Sequence, residues 1–257
     1  MTFFASIVGF VLKKKMDIRF FDTLDSTNKY CKLLNTDSVE EFTVVWAGNQ
    51  TAGLGQQGNV WVSEPYKNLT FSLILKPTFL SLSDQWLLSM TLALSVSDCL
   101  IEILPNHNIA IKWPNDIYIG NRKVCGILVT NQITNGIISQ AICGIGLNIN
   151  QTRFPDWVPN PTSLAIESGN TYNIKNVLDH LLQSVESRYR QLKNDPYSIK
   201  PDYLKRLFRL GSPSPYILQD KRITATITDV DRHGHLLLTT LDGEALNCDI
   251  KGIQFVI

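Results

Sequence analysis

Gly53-Leu54-Gly55-Gln56-Gln57-Gly58-Asn59-Val60-Trp61 is the stretch on which the reading of this chain turns. Three glycines stand within six residues. An apolar run, residues 42–47, comes before them, and a strand-like run, residues 68–75, comes after. Glycine permits positive φ and lets backbone N–H groups come close to a ligand. A loop of this kind between strands can cradle an anion, typically a phosphate. Further along stands Lys112-Trp113-Pro114-Asn115-Asp116, a candidate cationic partner. The two segments read together as one nucleotide-using active site.

The spacing Gly53-x-Gly55-x-x-Gly58 fits two familiar patterns by count, and context rejects both. A dinucleotide fold needs a helix after the glycines and an acid about twenty residues on. Here a strand follows, and Lys76 stands near the acid's place. A protein kinase also needs an HRD-type catalytic loop and a DFG metal site. Neither occurs in this sequence.

The 257 residues suit one large domain, or one with a small appendage, and 44% hydrophobic content supplies a substantial core. Net charge is +1, so the overall balance gives no argument for nucleic acid or an acidic membrane surface. Phosphate chemistry must therefore rest on local charge. The five cysteines are odd in number, form no CxxC and make no zinc pattern with the four histidines. They read as free thiols in a reducing cytoplasm. Residues 3–12 are apolar and precede Lys13-Lys14-Lys15. That order is wrong for a secretory signal, and the run is too short to span a bilayer. Residues 1–15 read as a disordered extension, with Met16 as the natural start.

Asp25-Ser26-Thr27-Asn28 reads as a helix N-terminus, with the helix running to about Asn35. Residues 42–47 form a buried strand and residues 69–75 another. Ser83-Asp84 is positioned to cap a long helix over residues 85–103, where Trp86, Met90 and Leu94 share one row. Strands follow at 109–112, 116–119, 124–129 and 137–147, with hairpin turns at Gly120-Asn121-Arg122-Lys123 and Asn135-Gly136. Residues 176–192 are amphipathic, and a shorter helix is expected over 201–210. Gly211-Ser212-Pro213-Ser214-Pro215 reads as a linker. Strand-like runs at 222–230, 236–240 and 246–250 then indicate a small β-barrel. The expected organisation is a catalytic unit over 16–210 and a β unit over 211–257.

The longer pattern is more specific. Gln50-x-x-Gly53-x-Gly55-x-x-Gly58-x-x-Trp61 leads to Ser63, Asn68-Leu69 and Ser72. Lys112-Trp113-Pro114-Asn115-Asp116, Gly126-Ile127-Leu128, Gly144-Ile145-Gly146-Leu147-Asn148 and Ser163-Leu164 follow. In order and spacing this resembles the biotin–protein ligases over most of the chain. The resemblance implies an α+β fold: a mixed central sheet with helices on one side, of the class II synthetase-like kind, plus an SH3-like C-terminal barrel. It implies a two-step reaction. Biotin and ATP, with Mg2+, give biotinyl-5′-AMP and pyrophosphate. The biotinyl group then passes to a lysine of a biotin carboxyl carrier protein, the activity of a biotin–[acetyl-CoA-carboxylase] ligase. The family's repressor members carry an N-terminal helix-turn-helix. The stretch before Asp25 is too short for one, so DNA binding is not expected, nor is a membrane partner. A monomer or weak homodimer is expected in the cytoplasm.

The resemblance also implies roles. Lys112 is the first choice for the chemistry, because attack on the α-phosphate builds negative charge that a fixed ammonium stabilises. Ser26, Thr27 and Gln50 match positions that hydrogen-bond the biotin ureido head, where a urea needs donors and acceptors at close range. Gly53, Gly55 and Gly58 form a loop that closes over the adenylate, and Trp61 stacks on adenine or clamps the loop. Gly126 lets the backbone approach biotin. Asn115 and Asp116 orient the lysine or assist magnesium, and Asn148 reads adenine. No protein-held metal is expected. Each has an ordinary reading as well: capping for Ser26, core packing for Trp61, turn chemistry for Asn115 and Asp116.

One departure stands out. The family's loop is commonly rich in arginine, whereas Leu54, Gln56, Gln57 and Asn59 leave this loop without positive charge. Weaker retention of the intermediate is the expectation. Two other readings compete: a lipoate or octanoate ligase or transferase, which has little need for Ser26, Thr27 and Gln50, and a biotin- or carrier-binding relative without catalysis, which has little need for Lys112, Asn115 and Asp116.

Overall fold

Leu69–Leu75 is buried at every position, which requires cover on both of its faces. In the computed structural model, which describes residues 16–257, it is the third strand, β3, of a seven-stranded sheet. The expected extension over residues 1–15 lies outside the described residues. The other strands are β1 (Ile18–Leu24), β2 (Val44–Gln50), β4 (Ile109–Lys112), β5 (Asp116–Ile119), β6 (Arg122–Thr134) and β7 (Ile137–Leu147). Their order is β1-β2-β3-β7-β6-β5-β4. β1 pairs parallel with β2, and the other pairings are antiparallel.

The period of two sorts the side chains. Phe71, Leu73 and Leu75 face a large core that includes residues of the helices α2 (Trp86–Ile103) and α4 (Ile174–Asn194). α2 is apolar all round because it packs between the sheet and α4. With its preceding turn it is long and apolar enough to cross a membrane, yet residues 90–97 are all buried within the protein. On the other face, Ile74 and Ile142 meet Val45 and Cys31 under the short helix α1 (Thr27–Leu33). Helices on one side alone were expected. The second face is covered too, but only in part, and the uncovered part holds the site.

Two local expectations are corrected. Ser83 and Asp84 do not cap α2: Leu82–Asp84 is a 3-10 turn and Gln85 is the cap without a side-chain bond. Asp84 pairs instead with Arg232, at 2.8 Å. The helix expected over 201–210 is α5 (Ile199–Lys205), which follows the one-turn α3 (Leu164–Ser168) and α4. It stops where the chain turns to bridge with β4 at Ile111. Ile111 N–H donates to the Arg206 carbonyl and Phe208 N–H donates to the Ile111 carbonyl, both at 2.8 Å. This segment covers the sheet edge.

The C-terminal sheet comprises β8 (Ser214–Leu218), β9 (Lys221–Val230), β10 (Leu236–Thr240), β11 (Ala245–Cys248) and β12 (Ile253–Phe255). Its order, β11-β10-β9-β8-β12, is antiparallel throughout, as in a small SH3-like unit. Ser214 and Pro215, read as linker, already belong to β8. One continuous apolar cluster includes both sheets, with Tyr216, Ile227 and Leu238 joined to the core beneath α2.

Candidate active site

The bare part of the sheet is made by glycine. Gly126 on β6 lies opposite Gly146 on β7, and Leu128 lies opposite Gly144. A Cβ at Gly144 would come within 2.7 Å of the Asn28 side-chain amide, and one at Gly146 within 2.3 Å of Trp61 Cε2. No side chain fits at either position. Over this strip opens a cavity of about 840 Å³. Its lining includes Ser26, Thr27, Gln50, Gly55, Trp61, Lys112, Asn115, Asp116 and Gly126.

At one end, α1 begins with Ser26, 1% exposed, whose Oγ accepts from Lys29 N–H at 3.4 Å. It caps the helix and lines the cavity at once. Thr27 donates to Gln50 Oε1 from its backbone N–H at 2.7 Å and from its hydroxyl at 3.1 Å. Gln50 Nε2 is left without a protein partner among the described residues, as a free donor on a residue that lines the cavity. Behind them, the Ser72 hydroxyl donates to Asn28 Oδ1 at 2.6 Å, so the corner is fixed from below.

The glycine loop folds on itself. Trp61 N–H donates to the Gly53 carbonyl at 3.1 Å, Gly55 N–H to the Asn59 carbonyl at 2.7 Å, and Asn59 N–H to the Gln56 carbonyl at 3.1 Å. A one-turn 3-10 segment, Gln56–Gly58, makes the tip, and Gly58 needs its glycine at φ 85°. Gly53 is packed against the Trp61 carbonyl, 2.5 Å from where a Cβ would stand. The N–H groups of Gly55, Asn59 and Trp61 are therefore taken within the loop and do not form an open phosphate cradle in this conformation. The Trp61 indole reaches back over Gly126 and Gly146, and its Nε1 has no hydrogen-bond partner although it is buried.

The cationic side is built from a hairpin and a bulge. Lys112 and Asp116 face each other at the ends of β4 and β5, around a turn with a cis Trp113–Pro114 bond. The Trp113 indole, 1% exposed, donates to the Gly234 carbonyl of the C-terminal sheet at 2.9 Å. The Asn115 side-chain amide donates to the Ile127 carbonyl, and Ile127 N–H returns a bond to the Asn115 carbonyl at 3.0 Å. Asn115 thereby ties the turn to β6. Lys112 Nζ stands 4.6 Å from the Phe255 ring centroid and 5.6 Å from that of Tyr118. Burial pushes its ammonium below the ordinary lysine value; Asp116 opposes this, and Lys123 and Arg209 add to it.

Lys123 is the residue the sequence reading placed in a turn. It belongs to β6, opposite Tyr118, where the register shifts between Ile117 and Tyr118. Its Nζ pairs with Asp116 Oδ1 at 2.7 Å and stands 5.7 Å from the Trp61 ring centroid. Lys123 thus shares the cavity with Lys112 and holds the Asp116 carboxylate in an ion pair. The available signal was its place three residues before Gly126 in one strand.

Asn148 follows the end of β7, just outside the cavity lining. Its amide donates to the Thr162 carbonyl at 2.9 Å, and its Oδ1 is buried without a partner. Among the described residues no group of three or more His, Cys, Asp or Glu could hold a metal ion.

The model of the biotin/lipoate A/B protein ligase family matches residues 20–148. The chain is 32% identical over 226 residues to the bifunctional ligase/repressor BirA of Bacillus spizizenii, covering 86% of this chain and 69% of that protein. It is 33% identical over 179 residues to the biotin–[acetyl-CoA-carboxylase] ligase of Paracoccus denitrificans, with 66% and 72% covered. Among solved structures, the biotin protein ligase of Aquifex aeolicus in complex with biotin and ATP superposes with a TM-score of 0.77 at 28% identity, covering 93% of this chain and 99% of that one. With its glycine strip, two-lysine hairpin and C-terminal sheet, this chain belongs to the biotin–protein ligases of the biotin/lipoate A/B protein ligase family.

Proposed function

We propose that the protein is an ATP-dependent biotin–protein ligase. One observation carries the reading: a single cavity joins the Ser26–Thr27–Gln50 corner to Lys112 and Lys123 along a glycine strip on which Asn28 and Trp61 are seated. The corner supplies a hydroxyl, a helix-capping serine and an amide donor for a ureido ring. Gly126 and Gly146 let the Trp61 indole lie against the sheet, and the cavity beside that indole is the space for the flat bicycle and the adenylate. A biotin carboxylate oxygen attacks the α-phosphorus of ATP, the bond to the β-phosphate bridging oxygen breaks, and pyrophosphate leaves with the electron pair. Lys112 and Lys123 stand where charge grows on the α-phosphoryl oxygens. Asp116 orients Lys123 through their ion pair at 2.7 Å, and its charge favours the ammonium form of Lys112. In the second step a lysine amine of a biotin carboxyl carrier protein attacks the acyl carbon, and AMP leaves.

The lining contains one carboxylate, Asp116. Magnesium commonly binds through one or two carboxylates plus substrate phosphates. The metal would enter as part of MgATP, where it would offset phosphate charge, and Asp116 is the lining side-chain carboxylate that would help to hold it. The unpaired Asn148 Oδ1 is an acceptor suited to the adenine amino group after a small shift. Five buried free thiols suit the cytoplasm.

Biotin-dependent ATP–pyrophosphate exchange, run in parallel with lipoate and octanoate, tests the reading. Exchange with biotin alone is expected. Exchange with a fatty acid instead moves the protein to the lipoyl branch, and biotin binding without exchange makes it a non-catalytic relative.

A further inference from the structure

Asn148 has one side-chain atom engaged and one that is not. Its Nδ2 donates to the Thr162 carbonyl at 2.9 Å, and its Oδ1 is buried without a hydrogen-bond partner. A backbone carbonyl can only accept, so the atom that faces Thr162 must be the amide nitrogen. The oxygen is therefore the atom left over. The cavity reaches both sides of this contact: Gly146, two residues before Asn148, lines it, and so does Asn160, two residues before Thr162. A buried acceptor without a donor is a cost that a donor on a ligand removes.

Thr162 is fully buried and is fixed from two sides. Its N–H donates to the Lys123 carbonyl at 2.8 Å, and Lys123 N–H returns a bond to the Asn160 carbonyl at 2.6 Å. Its hydroxyl donates to Glu167 Oε1. Glu167 belongs to α3, and its side chain is 7% exposed. Arg122, the first residue of β6, holds that carboxylate at 2.8 Å through Oε1 and 2.9 Å through Oε2. A chain of contacts, Arg122–Glu167–Thr162–Asn148, thus runs from the start of β6 to the end of β7. Arg122, Glu167 and Thr162 are not among the lining residues, so they act on the cavity through Asn148.

We infer that Glu167 decides which nucleobase the site accepts, as a positioning residue that holds Thr162 and so makes Asn148 present an acceptor only. The inference deepens the ligase reading and rests on it for the placement of the nucleobase at Asn148. A free asparagine amide can turn over and offer either a donor or an acceptor, so it would serve a 6-amino purine and a 6-oxo purine alike. With the nitrogen committed to Thr162, the oxygen accepts from the amino group of adenine. Against the oxo group of hypoxanthine or guanine it would set two acceptors face to face. A site built to pair a substrate N–H rejects an analogue that lacks it, because the buried group is left unpaired. Without the Glu167 carboxylate, the buried Thr162 hydroxyl loses its acceptor, and the carbonyl that orients Asn148 is no longer set.

The test measures biotin-dependent pyrophosphate exchange with ATP and with ITP, which carries a 6-oxo group in place of the amino group. The wild type is expected to favour ATP in kcat/KM by about 100-fold or more. Glu167→Ala and Thr162→Val are each expected to lower that ratio about tenfold, through KM for the nucleotide and with KM for biotin unchanged. Glu167→Gln, whose side-chain carbonyl still accepts from Thr162, keeps most of the ratio although its ion pair with Arg122 is gone. A merely structural role lowers the use of both nucleotides alike and leaves the ratio in place, so partial unfolding of a variant does not imitate the expected result. A wild type that uses ITP as readily as ATP, or a ratio within about twofold of wild type in either Glu167→Ala or Thr162→Val, overturns the inference, while exchange with biotin leaves the ligase reading standing. If the wild type shows no exchange, the ligase reading falls and ATP and ITP affinities from calorimetry decide the inference. A preference for ATP that drops in both variants then supports it, and a preference that is absent or unchanged overturns it.

Discussion

Trp61 occupies the space that any side chain at Gly146 would need: a Cβ built on Gly146 lies 2.3 Å from Trp61 Cε2. The glycine loop and the sheet floor are therefore coupled at one point of contact. Gly146→Ala forces the indole off the floor and with it the loop neck, where Trp61 N–H meets the Gly53 carbonyl. Overpacking of this kind costs about 1–3 kcal/mol. We expect a loss of that size in urea denaturation, a changed tryptophan emission and at least a tenfold drop in exchange activity. Wild-type emission and activity in the variant would mean that the loop seats independently of the floor.

In the role proposed for it, Lys112 is expected to set an alkaline limit on the first step. Its pKa in the folded protein is lowered, chiefly by burial. If the charged form stabilises the transition state as proposed, adenylation falls as pH rises through this lowered value, earlier than an ordinary lysine would dictate. For stability the sign is opposite. The unfolded chain holds the proton up to a higher pH than the folded one, so the cost of burying the charge is relieved as pH rises. Lys112→Ala is expected to reduce adenylate formation by about 100-fold or more, in the range of removing a fixed transition-state donor, with a smaller effect on biotin binding. Equal loss of both would remove Lys112 from the chemistry.

Leu54 is 38% exposed and bridges to Val60 across the loop. An arginine there would place a guanidinium at the cavity rim. Partly exposed ion pairs contribute about 0.2–1 kcal/mol, so Leu54→Arg should slow release of biotinyl-5′-AMP up to about fivefold in a filter-binding assay. An unchanged or shorter lifetime refutes the idea that the uncharged loop lets the intermediate leak.

Arg188 joins α4 to α2 and α5 by pairing with Asp98 at 2.5 Å and Asp202 at 2.8 Å. Hydrogen bonding from Arg188 first, and from Lys205 second, holds the Asp202 carboxyl down to about 2. A carboxylate with a depressed folded pKa stabilises above its unfolded value and loses that contribution as pH falls through the folded one. The stability difference between wild type and Arg188→Ala should therefore be larger at pH 7 than at pH 3 in denaturant titrations. A difference independent of pH would assign Arg188 a packing role only.

Much of the site could be read in one dimension, because several of its parts are local. Ser26 and Thr27 follow from cap chemistry, Gly58 from a turn that needs positive φ, and Gly126, Gly144 and Gly146 from glycines that break otherwise apolar strands. The central sheet was legible for the same reason: β3, β4, β5 and β7 carry strand patterns bounded by turn residues.

The remainder depended on contacts between distant segments. Lys123 reads as a turn residue until the register shift beside Tyr118 places it in β6 and sets its ammonium on Asp116. The short β12 has too few residues to show a period; its pairing with β8 makes it a strand and brings Phe255 onto Lys112. The five residues after α5 have helical composition, yet they form turns that bridge to β4 at Ile111, because β4 offers an unpaired edge whose hydrogen bonds must be met. Local backbone preference thus determined the loop, the caps and most strands. Register and edge satisfaction, which only the folded chain can decide, determined which lysines share the cavity and which residues form its far wall.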